Sequence, residues 1–140
     1  MAPALRYKPT TVLIVEDEAI LRLELESRLA EMGMIVLSAS GADDAIELLE
    51  THPEIKVMFT DIRMAGGMDG VLLAHHVFRR WPPIRIIVTS GLTAVDLLTL
   101  PDDSIFLPKP YPPEDLAGAL VEMMRGGRPH TTGGHLRARA

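Results

Sequence analysis

Along the chain, short apolar runs alternate with longer stretches in which apolar residues recur every three or four positions. Four runs read as strands: "TVLIV" (11–15), "VMFT" (57–60), "RIIVT" (85–89) and "SIFL" (104–107). A fifth, "MIVLSA" (34–39), is less purely apolar and reads as an edge strand. Continuous rather than alternating Val and Ile predicts strands covered on both faces, as in a parallel sheet.

The intervening stretches read as helices. From Ala19 to Met32, Leu21, Leu25, Leu29 and Met32 form one stripe and Gly33 is the stop, with Arg22 and Glu26 spaced to pair one turn apart. Asp43 or Gly41 opens a second helix carrying Ala45, Ile46, Leu48 and Leu49. A third runs from Val71 to Trp81, where Pro82 and Pro83 end it. A fourth candidate, 92–100, is short and stops at Pro101. The last, 112–125, begins with prolines and acids and ends at Gly126 and Gly127. Five successive βα units predict an α/β fold, a doubly wound five-stranded parallel sheet with five helices on its two faces.

The chain's 140 residues suit one domain. Residues 1–10 read as a flexible arm, 11–125 as the domain, and the glycine-rich 126–140 as a disordered tail. Charge sharpens this division: residues 1–125 carry eleven basic against nineteen acidic side chains, and the tail is weakly basic. An acidic body disfavours non-specific nucleic-acid binding, which needs a basic footprint. With no cysteine, disulfides, thiol catalysis and thiolate-bound metals are excluded. Apolar runs of four or five residues are far too short to span a membrane, and no signal-peptide core is present, so a cytoplasmic location is expected.

In a parallel open sheet the carboxyl ends of all strands share one edge, where ligands bind. The first strand is followed there by Glu16, Asp17 and Glu18, and "VMFT" by Asp61. "IIVT" closes on Thr89, and Lys109 follows "IFLP". Any one of these alone would be an ordinary cap or solvated loop residue, and Glu18 is assigned to the first turn of the next helix. Together they are chemically complementary. Clustered carboxylates raise one another's pKa unless a cation relieves them. Hard oxygen ligands favour Mg²⁺ or Mn²⁺. A carboxylate beside such an ion can accept a phosphoryl group as an acyl phosphate, with Lys109 and the metal balancing charge and the Thr89 hydroxyl donating to an oxygen. Asp61 is the nucleophile candidate and Glu16 with Asp17 the metal-ligating pair. The loop "IRMAGGMDG" leaves room for a phosphate and lets the Arg63 backbone carbonyl turn toward the metal.

The segments "VLIVEDE", "FTDIRMAGGMDG", "IIVTSG" and "FLPKPY" resemble the signature segments of two-component response-regulator receiver domains, from about Thr11 to Arg125. The resemblance implies a flavodoxin-like fold with strand order 2-1-3-4-5. It implies Asp61 as phosphoacceptor, Asp17 as direct Mg²⁺ ligand, Glu16 acting through water and the Arg63 carbonyl completing the metal site. Lys109 becomes the phosphate-pairing lysine, with Pro110 after a cis peptide bond, and Thr89 and Phe106 the switch pair. Four departures stand out. Glu16 replaces an aspartate, lengthening the reach to the metal. Ala65 replaces a proline, with one extra residue before "DG". Phe106 replaces a tyrosine, so its ring packs without a hydrogen bond. The span from Thr89 to Lys109 is short, at the fourth helix and its output surface.

The expected role is a single-domain response regulator, not an enzyme, although it takes part in its own phosphorylation and dephosphorylation. Its partners would be a sensor histidine kinase or histidine phosphotransfer protein and a downstream protein effector, with no DNA-binding domain and no membrane. The output surface is expected near the fourth and fifth helices and the fifth strand; a homodimer is compatible with that face. Alternatives are a receiver module of a hybrid kinase or phosphorelay, a non-phosphorylated interaction module and, from another class, a Mg²⁺-dependent aspartyl phosphatase. The phosphatase would carry a second acid two residues after the nucleophile, where Arg63 stands. His75 and His76, adjacent on a helix and splayed about 100° apart, read as a solvated face.

Overall fold

The computed structural model describes residues 9–63, 69–91, 99–124 and 136–137. Along these the chain forms β1 (Thr11–Val15), α1 (Ala19–Glu31), β2 (Ile35–Ala39), α2 (Ala42–Thr51), β3 (Ile55–Asp61) and α3 (Gly70–Arg80). There follow β4 (Arg85–Ser90), β5 (Ile105–Pro108), α4 (Pro113–Met124) and the two-residue β6 (Leu136–Arg137). The sheet order is β2-β1-β3-β4-β5-β6, the first five strands all parallel.

That five-stranded order, 2-1-3-4-5, is the one implied by the receiver resemblance, and β2 is indeed an edge. Four helices are described where five were expected. The missing one falls on 92–100, of which 92–98 lie outside the described residues. The tail expectation also falls mostly outside them, but Leu136–Arg137 pairs antiparallel with β5, opposite Phe106 and Ile105. At the other end, Thr10 already belongs to the body, its carbonyl accepting from the Ile35 N–H at 2.9 Å.

β1 is buried at every position, and the period of two sends its side chains alternately to two cores. Leu13 and Val15 join Met58, Val88 and Phe106 on the face covered by α2 and α3, through Ala45, Leu49, Leu73 and Val77. Val12 and Ile14 join Val57, Phe59, Ile87 and Leu107 on the face covered by α1 and α4, through Leu25, Leu29, Leu116 and Leu120. The same alternation carries Glu16, Asp61 and Thr89, each two residues beyond a member of the second core, to the α1/α4 side.

Local chemistry fixes the ends. Gly33 takes φ +89°, the left-handed stop expected of it. Gly41 caps α2. Asp69 caps α3, its side chain accepting from the Leu72 N–H at 2.9 Å. β3 starts two residues earlier than its apolar run because Ile55 is buried while Lys56 points out.

The adjacent histidines are partly exposed, and each makes contacts that the solvated-face expectation did not include. His75 Nε2 donates to the Thr99 carbonyl at 2.5 Å. The His76 ring lies edge-on to Trp81, and its Nε2 is buried without a hydrogen-bond partner among the described residues.

Candidate functional site

Three of the expected residues converge in one ion-paired group. Lys109 Nζ donates to Asp61 Oδ2 at 2.6 Å and stands 3.9 Å from Glu16 Oε1. The two acids are almost fully buried, whereas the lysine side chain is 28% exposed. Asp61 Oδ1 accepts the Arg63 N–H at 3.0 Å, so both oxygens of this carboxylate are engaged. Lys109 is set at the sheet edge by its own N–H, bonded to the Ser90 carbonyl at 2.9 Å, and its peptide bond to Pro110 is cis.

Burial raises the pKa of Glu16, and the charge of Asp61 and a side-chain hydrogen bond with Asp17 add to the rise. The Glu18 N–H and Lys109 oppose it. For Lys109 the balance runs the other way. Burial would lower its pKa, but the hydrogen bond to Asp61 and the charges of Asp61, Glu16 and Glu18 outweigh that and hold it above the usual value. Tyr111 is pushed up to about 12 by burial and by the same two acids; its ring packs edge-on against Phe59, beneath Asp61. The local field is therefore negative, with one ammonium set against two buried carboxylates.

Asp17 is coupled to this group through Glu16. Thr89 is the register partner of Asp61 on β4, yet its hydroxyl donates to the Leu107 carbonyl at 2.6 Å rather than to the carboxylate. Phe106, 6% exposed, is packed in the α2/α3 core beside Val88, on the other side of the sheet. The longer side chain of Glu16 folds back rather than reaching farther out: its Oε2 accepts the Glu18 N–H at 3.0 Å. Ala65 lies outside the described residues.

Among the described residues, no group of three or more His, Asp or Glu side chains is spaced to hold a metal ion by itself. The donor chemistry still suits a hard divalent cation. Glu16 and Asp61 are all-oxygen donors that repel each other, and Asp17 adjoins them.

Three contributors escaped the sequence reading. Arg22 does not pair with Glu26; its Nη1 donates to the Glu16 carbonyl at 2.8 Å. Gly70 closes the loop after Asp61, donating its N–H to the Ile62 carbonyl at 2.8 Å. A Cβ there would stand 2.1 Å from the Asp61 carbonyl oxygen and 2.7 Å from Ile62 Cα. Tyr111, with Leu21, Leu25, Arg28, Lys109 and Pro113, lines a cavity of about 550 Å³ between α1 and the turn before α4. The glycine of "MDG" was a visible signal, but only tertiary contact shows what it must avoid.

Residues 12–121 match the family described as the response regulator receiver domain. The chain is 34% identical over 119 residues to the sensor kinase CckA of Brucella abortus, covering 81% of this chain and 12% of that protein. It is 33% identical over 118 residues to the transcriptional regulatory protein PdtaR of Mycobacterium tuberculosis, covering 80% and 55%. The chain thus spans about half or less of the length of these relatives. Among solved structures, a response regulator receiver protein from Sinorhizobium medicae superposes with a TM-score of 0.78 at 33% identity, covering 84% of this chain and 96% of that one. One from Pseudomonas putida gives 0.70 at 30% identity, covering 86% and 98%.

The raised Glu16 pKa has a signed consequence. Below its ordinary value of 4.5 the carboxyl is protonated in folded and unfolded chains alike. As pH rises through its elevated folded value, ionisation costs stability. Glu16→Gln should melt several degrees above the wild type at pH 7.5 and lose that advantage near pH 4, in thermal melts across this range. Gly70→Ala forces backbone to move by close to an ångström, enough to break the 2.6 Å ion pair. Gly70→Ala should therefore melt several degrees below the wild type in thermal melts, while Gly118→Ala, where an added Cβ meets nothing within 4 Å, does not.

Proposed function

Since the chain belongs to the response-regulator receiver family, we propose that Asp61 accepts a phosphoryl group from a phosphohistidine and that the acyl phosphate switches a protein-interaction surface. The observation that carries this reading is the buried Asp61 carboxylate held 2.6 Å from Lys109 at the carboxyl edge of the sheet. A structural ion pair needs no second and third acid beside it, such as Glu16 and Asp17; a phosphoryl-accepting site does.

In the reaction, an Asp61 oxygen attacks phosphorus. The phosphorus–nitrogen bond to the donor imidazole breaks, and the departing ring nitrogen takes up a proton. The new bond is a mixed anhydride between the Asp61 carboxyl and phosphate. Lys109, already paired with Oδ2, is placed to follow the charge onto the phosphoryl oxygens. Glu16, Asp17, Asp61 and the Arg63 carbonyl would hold Mg²⁺ or Mn²⁺, which when bound supplies further positive charge for those oxygens. The Thr89 hydroxyl leaves the Leu107 carbonyl and donates to the phosphoryl group, freeing a polar atom on β5 two residues from Lys109. That exchange biases β5 and the Phe106 packing between two arrangements.

The chain accepts a phosphoryl group and contributes to its own phosphorylation and dephosphorylation without turning over other substrates. It acts in the cytoplasm, its phosphodonor a histidine kinase or phosphotransfer protein and its output a protein effector. Ile20 and Leu23, 73% and 61% exposed, lie on α1, the helix whose Leu21 and Leu25 line the cavity beside Lys109, and offer the donor an apolar surface. The hybrid-kinase reading is favoured by the likeness to CckA, a sensor kinase.

Incubation with Mg²⁺ and acetyl phosphate should add one acid-stable, base-labile phosphoryl group by intact mass, and Asp61→Asn should abolish it. An adduct that survives Asp61→Asn contradicts the reading. Ile20→Glu with Leu23→Glu should leave acetyl phosphate labelling intact and slow transfer from a phosphorylated kinase at least tenfold.

A further inference from the structure

We propose that Arg22 is a positioning residue for the acid end of β1, holding Glu16 and Asp17 in the orientation the phosphoryl-accepting site needs. The inference rests on the reading of that site given above. Glu16 is nearly immobilised. Its N–H is bonded to the Ala39 carbonyl of β2 at 3.0 Å, its carbonyl accepts from Arg22 Nη1 at 2.8 Å, and its Oε2 accepts the Glu18 N–H at 3.0 Å. The remaining oxygen, Oε1, is the one that faces Lys109. Removing the Arg22 bond would free the peptide between Glu16 and Asp17, so both carboxylates would move.

The start of α1 shows why a side chain from inside the helix is used. Glu18 occupies the cap position without a side-chain cap bond, and the first turn holds no acid. The Arg22 N–H opens the helix by bonding to the Glu18 carbonyl at 2.9 Å. Its guanidinium then reaches back over six residues to the carbonyl of Glu16. Arg22 thereby joins the end of β1 to the first turn of α1 from both sides of the acidic turn, with Asp17 between the two attachment points.

Charge and positioning make opposite predictions for a divalent cation. Arg22 is itself a cation beside three acids, so if it acted through charge alone its removal would tighten Mg²⁺ binding. If it acts by holding the turn, its removal weakens binding, on the order of tenfold, as losses of partners that orient metal ligands typically do.

The test is calorimetric titration of the unphosphorylated chain with MgCl₂ for wild type, Arg22→Gln, Arg22→Lys and, as a charge-matched control, Arg79→Gln. The expected result is roughly tenfold weaker binding for Arg22→Gln, partial recovery for Arg22→Lys, and near wild-type binding for Arg79→Gln. Amide exchange at Glu18 should accelerate in Arg22→Gln while exchange in the later turns of α1 is unchanged. Binding by Arg22→Gln equal to or tighter than wild type, or unchanged exchange at Glu18, overturns the inference. If the wild type binds no Mg²⁺, the underlying site reading fails and the inference falls with it. Wild-type binding with no loss in Arg22→Gln defeats the inference alone.

Discussion

The ion pair between Asp61 and Lys109 joins residues 48 positions apart and is the contact around which the sheet edge is organised. Two acids, Asp61 and Glu16, are taken out of water at neighbouring strand ends, and one partly exposed ammonium stands between them. Buried charges are tolerated only where partners and hydrogen bonds replace the lost water. Here the replacements come from the Arg63 and Glu18 N–H groups as well as from Lys109. The strain left over is visible in Glu16, whose carboxyl is pushed toward its neutral form by burial and by its acidic neighbours. Stability at this edge is given up for a concentration of charge, which the proposed phosphoryl acceptance and cation binding would use.

Placement of these groups follows from elementary geometry. Parallel strands bring their carboxyl ends to one edge, and the two-residue period puts Glu16, Asp61 and Thr89 on the α1/α4 side. Close approach of α3 then fixes the tip of β3, where the missing Cβ of Gly70 leaves room for the Asp61 carbonyl. The Thr89 hydroxyl, bonded to the Leu107 carbonyl, ties β4 to β5 just before the chain reaches Lys109. A change at Asp61 therefore has a short path to the β5 edge, where Phe106 is paired with the Leu136 backbone of β6.

Strand runs, helix stripes and stop residues made the α/β order readable from sequence, because burial on both faces demands continuous apolar runs. The site's carboxylates, hydroxyl and lysine were equally readable, since each directly follows such a run. What was not readable depends on contacts between distant elements. Arg22 was spaced to pair with Glu26, but the carbonyl of Glu16, brought near by the turn into α1, took the guanidinium. His75 and His76 looked like surface residues until Thr99 and Trp81 were placed beside them. The fold-back of Glu16 onto the Glu18 N–H depends on the conformation of a three-residue turn, which composition does not specify. Thr89 was expected near a phosphoryl group; in the unphosphorylated chain its hydroxyl is committed to a backbone carbonyl, a state the sequence cannot show.

The proposed acyl phosphate is expected on Asp61 and not on the other acids of the cluster. Borohydride reduction converts an aspartyl phosphate to homoserine, and peptide mass spectrometry of the reduced, phosphodonor-treated chain locates it. Homoserine is expected at position 61 alone, dependent on Mg²⁺ and absent without phosphodonor. Reduction at position 17, or a reduced Glu16, or no reduced residue in a chain that otherwise takes up phosphate, would contradict it.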